Sequence, residues 1–278
     1  MPRHLPDPPA FPAARRRWRR LRLIAALALL ASAVAGACAG SGCADGDATC
    51  LRVLFVGNSY TFTNDLPGTF ARLASAGGHR VETGMVAAGG ATLEQLAGSA
   101  DLARVLAARP WNVAILQEQS QIPAVAASRA ASMLPAARTL VDVVRARGAT
   151  PALLLTWGYR DGWPGGGFAA YPAMQAALTA GYRAVARQLG VPVVPAGEAW
   201  AVALRGGSGA DLWQADGSHP TVEGTYLAAC TLYAAVFGAS PEGVGFTDGL
   251  DAALAAQLQH AAATVALADP GSWGIPAR

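Results

Sequence analysis

Asp216-Gly217-Ser218-His219-Pro220 places a carboxylate three residues before a histidine, within reach of that same imidazole through one tight loop. A histidine oriented this way is a general base awaiting a nucleophile. Val56-Gly57-Asn58-Ser59-Tyr60 offers one, because Ser59 stands where an apolar run breaks into a turn. Together Ser59, His219 and Asp216 have the types needed for nucleophilic acyl transfer. The imidazole would take the hydroxyl proton and the carboxylate would hold the ring tautomer. Each residue also has a plainer reading. Ser59 can cap the helix that follows it, and Asp216-Gly217 can be no more than a turn. The two segments lie near opposite ends of the folded chain, so the fold must join them.

From Leu51 onward the chain alternates strand and helix signals. Short apolar runs at 52–56, 80–87, 111–116, 152–156 and 191–194 read as strands. Helical patterning covers 66–76, 93–108, 128–147, 171–189, 221–237 and 250–268, with Gly77, Gly148 and Gly190 as stops. A Gly/Pro-rich loop fills 158–168. Short apolar strands alternating with helices predict a parallel, doubly wound sheet in one domain. In such sheets the ligand site lies beyond the carboxyl ends of the strands. Ser59, Gly90, Gln119 and the loop at 158–168 all follow predicted strand ends, so the candidate residues converge on one edge of the sheet.

Apolar residues make up 53% of the chain and charged ones 14%, the balance of a globular protein. Lysine is absent, so all 21 basic residues are arginine, and seven of them precede an apolar run that ends at Ala37. Without residues 1–37, 14 arginines meet 17 acids, a net charge of about −3, which argues against a nucleic-acid partner. The arginine cluster, apolar run and small residues form the pattern of a secretory signal. Ala35-Gly36-Ala37-Cys38 resembles a bacterial lipobox with lipid attachment at Cys38, although Ala35 stands where a larger aliphatic is usual. An uncleaved membrane anchor is the third reading. All three predict export, either to the cell envelope or beyond it. The expected organisation is a leader over 1–37, a small polar tether over 38–50, a folded domain over 51–270 and a tail over 271–278. An exported setting allows a Cys43–Cys50 disulfide, and Cys230 reads as a small core residue. No Cys/His spacing fits a zinc site.

Gly57-Asn58-Ser59-Tyr60 resembles the first block of the GDSL, or SGNH, hydrolases, in which Gly-Asp-Ser carries the nucleophile at the end of the first strand. Gly89-Gly90-Ala91-Thr92 resembles the second block, whose glycine gives a backbone N–H to the oxyanion hole. Asp216-Gly217-Ser218-His219-Pro220 resembles the last block. The resemblance spans about Leu51 to Gly238 and implies a single-domain α/β/α sandwich of flavodoxin-like type around a five-stranded parallel sheet. Two departures stand out. Asn58 replaces the family aspartate. Where the family has Gly-x-Asn-Asp, this chain reads Leu116-Gln117-Glu118-Gln119-Ser120, a Gln-Glu-Gln-Ser variant of the third block. Asn64-Asp65 follows the first strand instead and looks like a decoy. Aligning Gln119 with the family asparagine makes its amide the side-chain donor of the oxyanion hole, with Gln117 as rival.

The resemblance implies a serine esterase with Ser59, Asp216 and His219 as its triad. Its oxyanion hole would come from the N–H groups of Ser59 and Gly90 and the Gln119 amide, and it would need neither metal nor cofactor. The expected substrate is a small-molecule or carbohydrate ester, with acetyl as the acyl group. Trp157, Tyr159 and Trp163 in the loop, and Trp213 before the last block, are candidates to stack on a sugar or hold an acyl chain. Ordinary loop anchoring is their alternative. Two other functions fit the same residues: a lipase or thioesterase for longer acyl chains, and a catalytically silent envelope lipoprotein that binds glycan.

Overall fold

The computed structural model describes residues 42–44 and 46–276. The expected leader, the Cys38 lipidation site and the first tether residues lie outside the described residues, as do residues 277–278.

The described residues form a five-stranded, all-parallel sheet: β1 (Cys50–Gly57), β2 (Arg80–Ala87), β3 (Val113–Leu116), β4 (Thr150–Leu154) and β5 (Val193–Val194). Their spatial order is β2-β1-β3-β4-β5. The chain runs from β1 to one side for β2, then crosses back for β3. That reversal opens a crevice at the carboxyl ends of β1 and β3. Alternating strand side chains feed two cores. Leu54, Val56, Ala114, Leu116, Leu153 and Val193 join the core under helices Ala100–Ala108, Leu134–Ala146 and Tyr171–Leu189. Val53, Phe55, Ile115, Leu154 and Val194 point to the opposite core, under helices Leu66–Ala76, Ala196–Arg205, Val222–Phe237 and Ala252–Leu267. Burying each of the larger side chains is worth roughly 1.5–3 kcal/mol, so the strand registers are strongly specified. The loops leaving the strands inherit that rigidity.

Several elements differ from their sequence patterns, each for a local reason. The helix expected over 93–108 is two, Leu93–Ala97 and Ala100–Ala108. Ser99 caps the second by accepting from the Leu102 N–H at 3.1 Å, and Gly98 ends the first. The helix expected over 128–147 begins with a wide π turn at Arg129–Met133 before Leu134–Ala146, beside Pro135, which has no N–H to give. Helix Ala196–Arg205, unmarked in the sequence reading, follows β5 directly. Within the segment read as a tail over 271–278, Trp273 and Ile275 are buried in the core. Cys43 and Cys50 form a disulfide, and Cys230 is a buried free thiol. The disulfide loop docks on the sheet edge, where Arg52 donates to the carbonyls of Cys43 and Ala44 and pairs with Glu82.

Candidate active site

Ser59 opens a one-turn helix, Ser59–Phe62, immediately after β1. The turn is made by the two residues before it. At Gly57 any Cβ would collide with the Thr61 hydroxyl and the Gln117 amide oxygen, so only glycine lets the chain bend this closely. Asn58 is buried and caps the helix, its Oδ1 accepting from the Tyr60 N–H at 3.1 Å. Its Nδ2 donates to the Ala91 carbonyl at 3.0 Å, which ties the nucleophile turn to the Gly89-Gly90-Ala91 turn after β2. A carboxylate there would have no hydrogen to give Ala91, which accounts physically for Asn58 in place of aspartate.

His219 closes on this corner from the far end of the chain. Its Nε2 lies 2.9 Å from Ser59 Oγ, and its Nδ1 lies 2.5 Å from Asp216 Oδ2. The other Asp216 oxygen accepts from the N–H groups of Ser218 at 2.9 Å and His219 at 3.0 Å. The slight burial of Asp216 works to raise its pKa. Hydrogen bonds from the His219 ring and the two N–H groups outweigh it and hold the carboxyl below the ordinary carboxylate value. Asp216 is therefore an anion that fixes the imidazole, with Nε2 turned to the serine.

The loop carrying Asp216 and His219 is only partly buried, with Asp216 exposed, yet it is held at several points. Tyr60 Oη and Ser218 Oγ are 2.6 Å apart. Trp157 Nε1 donates to the Ser218 carbonyl at 3.0 Å, and the Arg160 N–H to the Gly217 carbonyl at 2.8 Å. Asn64 Nδ2 donates to the Pro220 carbonyl at 2.9 Å and to Thr225 Oγ1 at 3.1 Å. Asn64-Asp65, a decoy as a third-block motif, thus has a structural role. Asn64 sits at φ 54°, where asparagine is tolerated, and Asp65 caps helix Leu66–Ala76 through the Gly68 N–H at 3.1 Å. An aspartate just before an apolar helical run is a local signal for the cap, but nothing local marks the contacts to Pro220 and Thr225.

The third block divides into inward and outward residues. Gln117 and Glu118 are fully buried, whereas Gln119 is partly exposed. Gln117 Oε1 accepts from the Asn58 N–H and the Thr61 hydroxyl, both at 2.9 Å, so this amide braces the nucleophile turn from inside. Gln119 Oε1 accepts from the N–H of Gln121 at 2.8 Å and of Ile122 at 3.3 Å. Its Nε2 has only a long contact of 3.4 Å to Ser120 Oγ, leaving an N–H to donate. The Ser59 N–H occupies the first helical position, where no intrahelical acceptor exists, and the exposed Gly90 N–H has no partner among the described residues.

The aromatic candidates need correcting. Trp157 is fully buried, sandwiched between Tyr60 at 4.8 Å and Trp200 at 4.1 Å with near-parallel planes. Trp213 packs edge-on against Trp200 and Tyr171, and its Nε1 donates to the Gly158 carbonyl at 3.0 Å. Neither offers a face to a substrate. They form a column behind the histidine, whose ring stands edge-on to Tyr60 at 5.7 Å. Trp163 lies over Gly166 and exchanges backbone hydrogen bonds with Phe168, which anchors its own loop. Tyr159 is partly exposed with its hydroxyl 2.8 Å from Ser120 Oγ, next to Gln119, and is the one of the four best placed to meet a ligand.

No known family model and no curated protein matches this chain. Solved structures do. A DUF4886 family protein from Bacteroides uniformis aligns with a TM-score of 0.67 at 22% identity, covering 80% of this chain and 96% of that one. A proposed SGNH hydrolase from Slackia heliotrinireducens aligns with a TM-score of 0.56 at 28% identity, over 66% of this chain and 97% of that one. A lipase/acylhydrolase from Enterococcus faecalis gives a TM-score of 0.51 at 14% identity, over 68% and 96%. The chain has the SGNH/GDSL hydrolase fold.

Proposed function

We propose that the protein is a serine esterase that hydrolyses small acyl esters through an acyl-enzyme. The observation that carries this reading is the unbroken relay from Ser59 Oγ through His219 to Asp216, at 2.9 Å and 2.5 Å. His219 Nε2 takes the hydroxyl proton as Ser59 Oγ attacks the ester carbonyl. Asp216 stabilises the imidazolium that forms. The N–H groups of Ser59 and Gly90, with Gln119 Nε2, receive the negative charge that develops on the carbonyl oxygen. Collapse of the tetrahedral intermediate expels the alcohol, protonated by His219. Water then attacks the acyl-Ser59 ester, with His219 acting as base and then as acid, and the carboxylic acid leaves.

A second reading, toward longer acyl chains, draws on one feature. Phe62 and Val222 are exposed by 40% and 43%, and each stands three residues after a member of the triad. An apolar rim there suits a chain longer than acetyl. A fluorophosphonate probe tests the hydrolase reading. We expect covalent labelling of the wild-type protein at Ser59 and none of Ser59→Ala; labelling elsewhere, or no labelling, rejects it. Rates on nitrophenyl esters from acetate to decanoate then separate the two substrate readings.

A further inference from the structure

Glu118 is a carboxyl group that the proposed reaction does not use, and it is fully buried. It sits one residue before Gln119, at the carboxyl end of β3. Its Oε1 accepts from the Gln119 N–H at 2.7 Å and from the Leu93 N–H at 3.1 Å. Leu93 opens the helix that follows the Gly89-Gly90-Ala91-Thr92 turn. One oxygen therefore joins the segment that carries the Gln119 amide to the segment that carries the Gly90 N–H. The backbone of Glu118 is fixed as well. Its N–H donates to Tyr182 Oη at 3.3 Å, and its carbonyl accepts from Gln117 Nε2 at 2.6 Å. A residue held at both backbone groups and tied across two loops sets their separation instead of following it.

We propose that Glu118 is a positioning residue that sets the spacing between the Gly90 and Gln119 donors, acting as a hydrogen-bond acceptor and not as a charge; this rests on the esterase reading above. Two observations argue against a working charge. The second oxygen, Oε2, is buried without a hydrogen-bond partner among the described residues, a costly position for half of an ionised carboxylate. Burial raises the carboxyl pKa, against the pull of the Gln119 and Leu93 N–H groups, and the more distant Glu94 carboxylate raises it further. Function points the same way. An anion next to the Gln119 donor would oppose the negative charge that the oxyanion hole must stabilise. A neutral acid accepts the same two N–H bonds without that penalty.

The test compares Glu118→Gln, which keeps an acceptor oxygen, with Glu118→Met, which keeps length and loses it. Each is measured for kcat and KM on nitrophenyl acetate and for Ki of a trifluoromethyl ketone, which binds through an oxyanion. For Glu118→Met we expect kcat to fall about 10²-fold, the scale of a small misplacement of catalytic groups. KM should stay within about twofold, and Ki should rise in parallel with the loss in kcat. Glu118→Gln should recover most of both. Equal loss in the two variants overturns the acceptor role, and a Glu118→Met protein that loses melting temperature but keeps kcat and Ki overturns the positioning role. Should Glu118→Met fail to fold, Glu118→Gln decides alone: near-normal kcat and Ki support the proposal, and a large loss of either rejects it. A wild-type protein that neither labels at Ser59 nor turns over ester sinks the esterase reading and takes this proposal with it. That outcome is distinct from the variant failures, which require an active wild type.

Discussion

The nucleophile corner and the base loop are held in opposite ways. At the corner, the backbone of Asn58 and the Thr61 hydroxyl bind the side chain of Gln117, which is sealed inside the protein. At the base loop, Asp216 is exposed and its oxygens gather N–H groups from its own turn. Outside contacts come from the tips of Tyr60, Trp157 and Asn64. A buried brace has few alternative partners and costs much to remove. An exposed turn can replace a lost contact with water. The corner should therefore depend on single residues for its stability, and the loop for its alignment.

The largest test of this contrast lies in the relay itself. Ser59→Ala and His219→Ala should each reduce kcat on a good ester by on the order of 10⁶-fold, because the three residues act as a unit. Asp216→Asn should retain more, losing about 10⁴-fold, as it misorients the base without removing it. Melting temperatures of all three should stay close to wild type, since the side chains are exposed or partly exposed. A destabilised His219→Ala protein would mean that the loop is braced through the imidazole, contrary to the contrast drawn here.

The base loop was the more legible of the two in the sequence. Asp216 and His219 are three residues apart, so their pairing needs only a local turn. Strands β1, β3, β4 and β5 were also legible, because each is a short apolar run buried along most of its length, whereas β2, at the sheet edge, is mostly half-buried. Boundaries moved by a residue or two at β1, β3, β4 and β5, where apolar composition does not mark the first hydrogen bond. The buried braces were not legible. In the sequence Gln117 was only a rival oxyanion donor and Glu118 had no role, since composition cannot say which way a polar residue points past the last strand pair. Trp157 and Trp213 misled for the same reason. An aromatic beside a presumed site can be its wall or its foundation, and only the packing against Trp200 and Tyr60 distinguishes them.

Gln117 and Gln119 sharpen the contrast within a single segment. Gln119→Ala should lower kcat by about 10²–10³-fold, the usual loss for one oxyanion donor, with KM and melting temperature nearly unchanged. Gln117→Ala should act on stability instead. It leaves the Asn58 N–H and the Thr61 hydroxyl buried without an acceptor, at about 1–3 kcal/mol for each group stranded. Chemical denaturation and ester kinetics on both variants give the answer. If Gln117→Ala keeps its stability and loses only turnover, the oxyanion donor is Gln117, and the inward and outward assignments must be exchanged.

The smallest effect is expected where the two regions touch. Tyr60 belongs to the nucleophile helix, yet its hydroxyl meets Ser218 Oγ at 2.6 Å, while its ring stacks on Trp157 and stands edge-on to His219. Burial raises the pKa of this phenol, against the hydrogen bond it shares with Ser218, so the group stays a neutral hydroxyl and the contact is an ordinary hydrogen bond. Tyr60→Phe removes that bond and leaves the stack intact. Ser218 is only partly buried and can turn to water, so the stability lost should be about 0.5–1.5 kcal/mol, the net worth of one such bond. The Trp157 bond to the Ser218 carbonyl remains, so the loop should keep its register and kcat should fall by less than about tenfold, under the roughly 1.4 kcal/mol that a tenfold change represents. Tyr60→Leu also removes the ring. If it is no worse than Tyr60→Phe, the aromatic column does not support the histidine. If Tyr60→Phe alone abolishes turnover, the base loop hangs on one buried contact, as the nucleophile corner does.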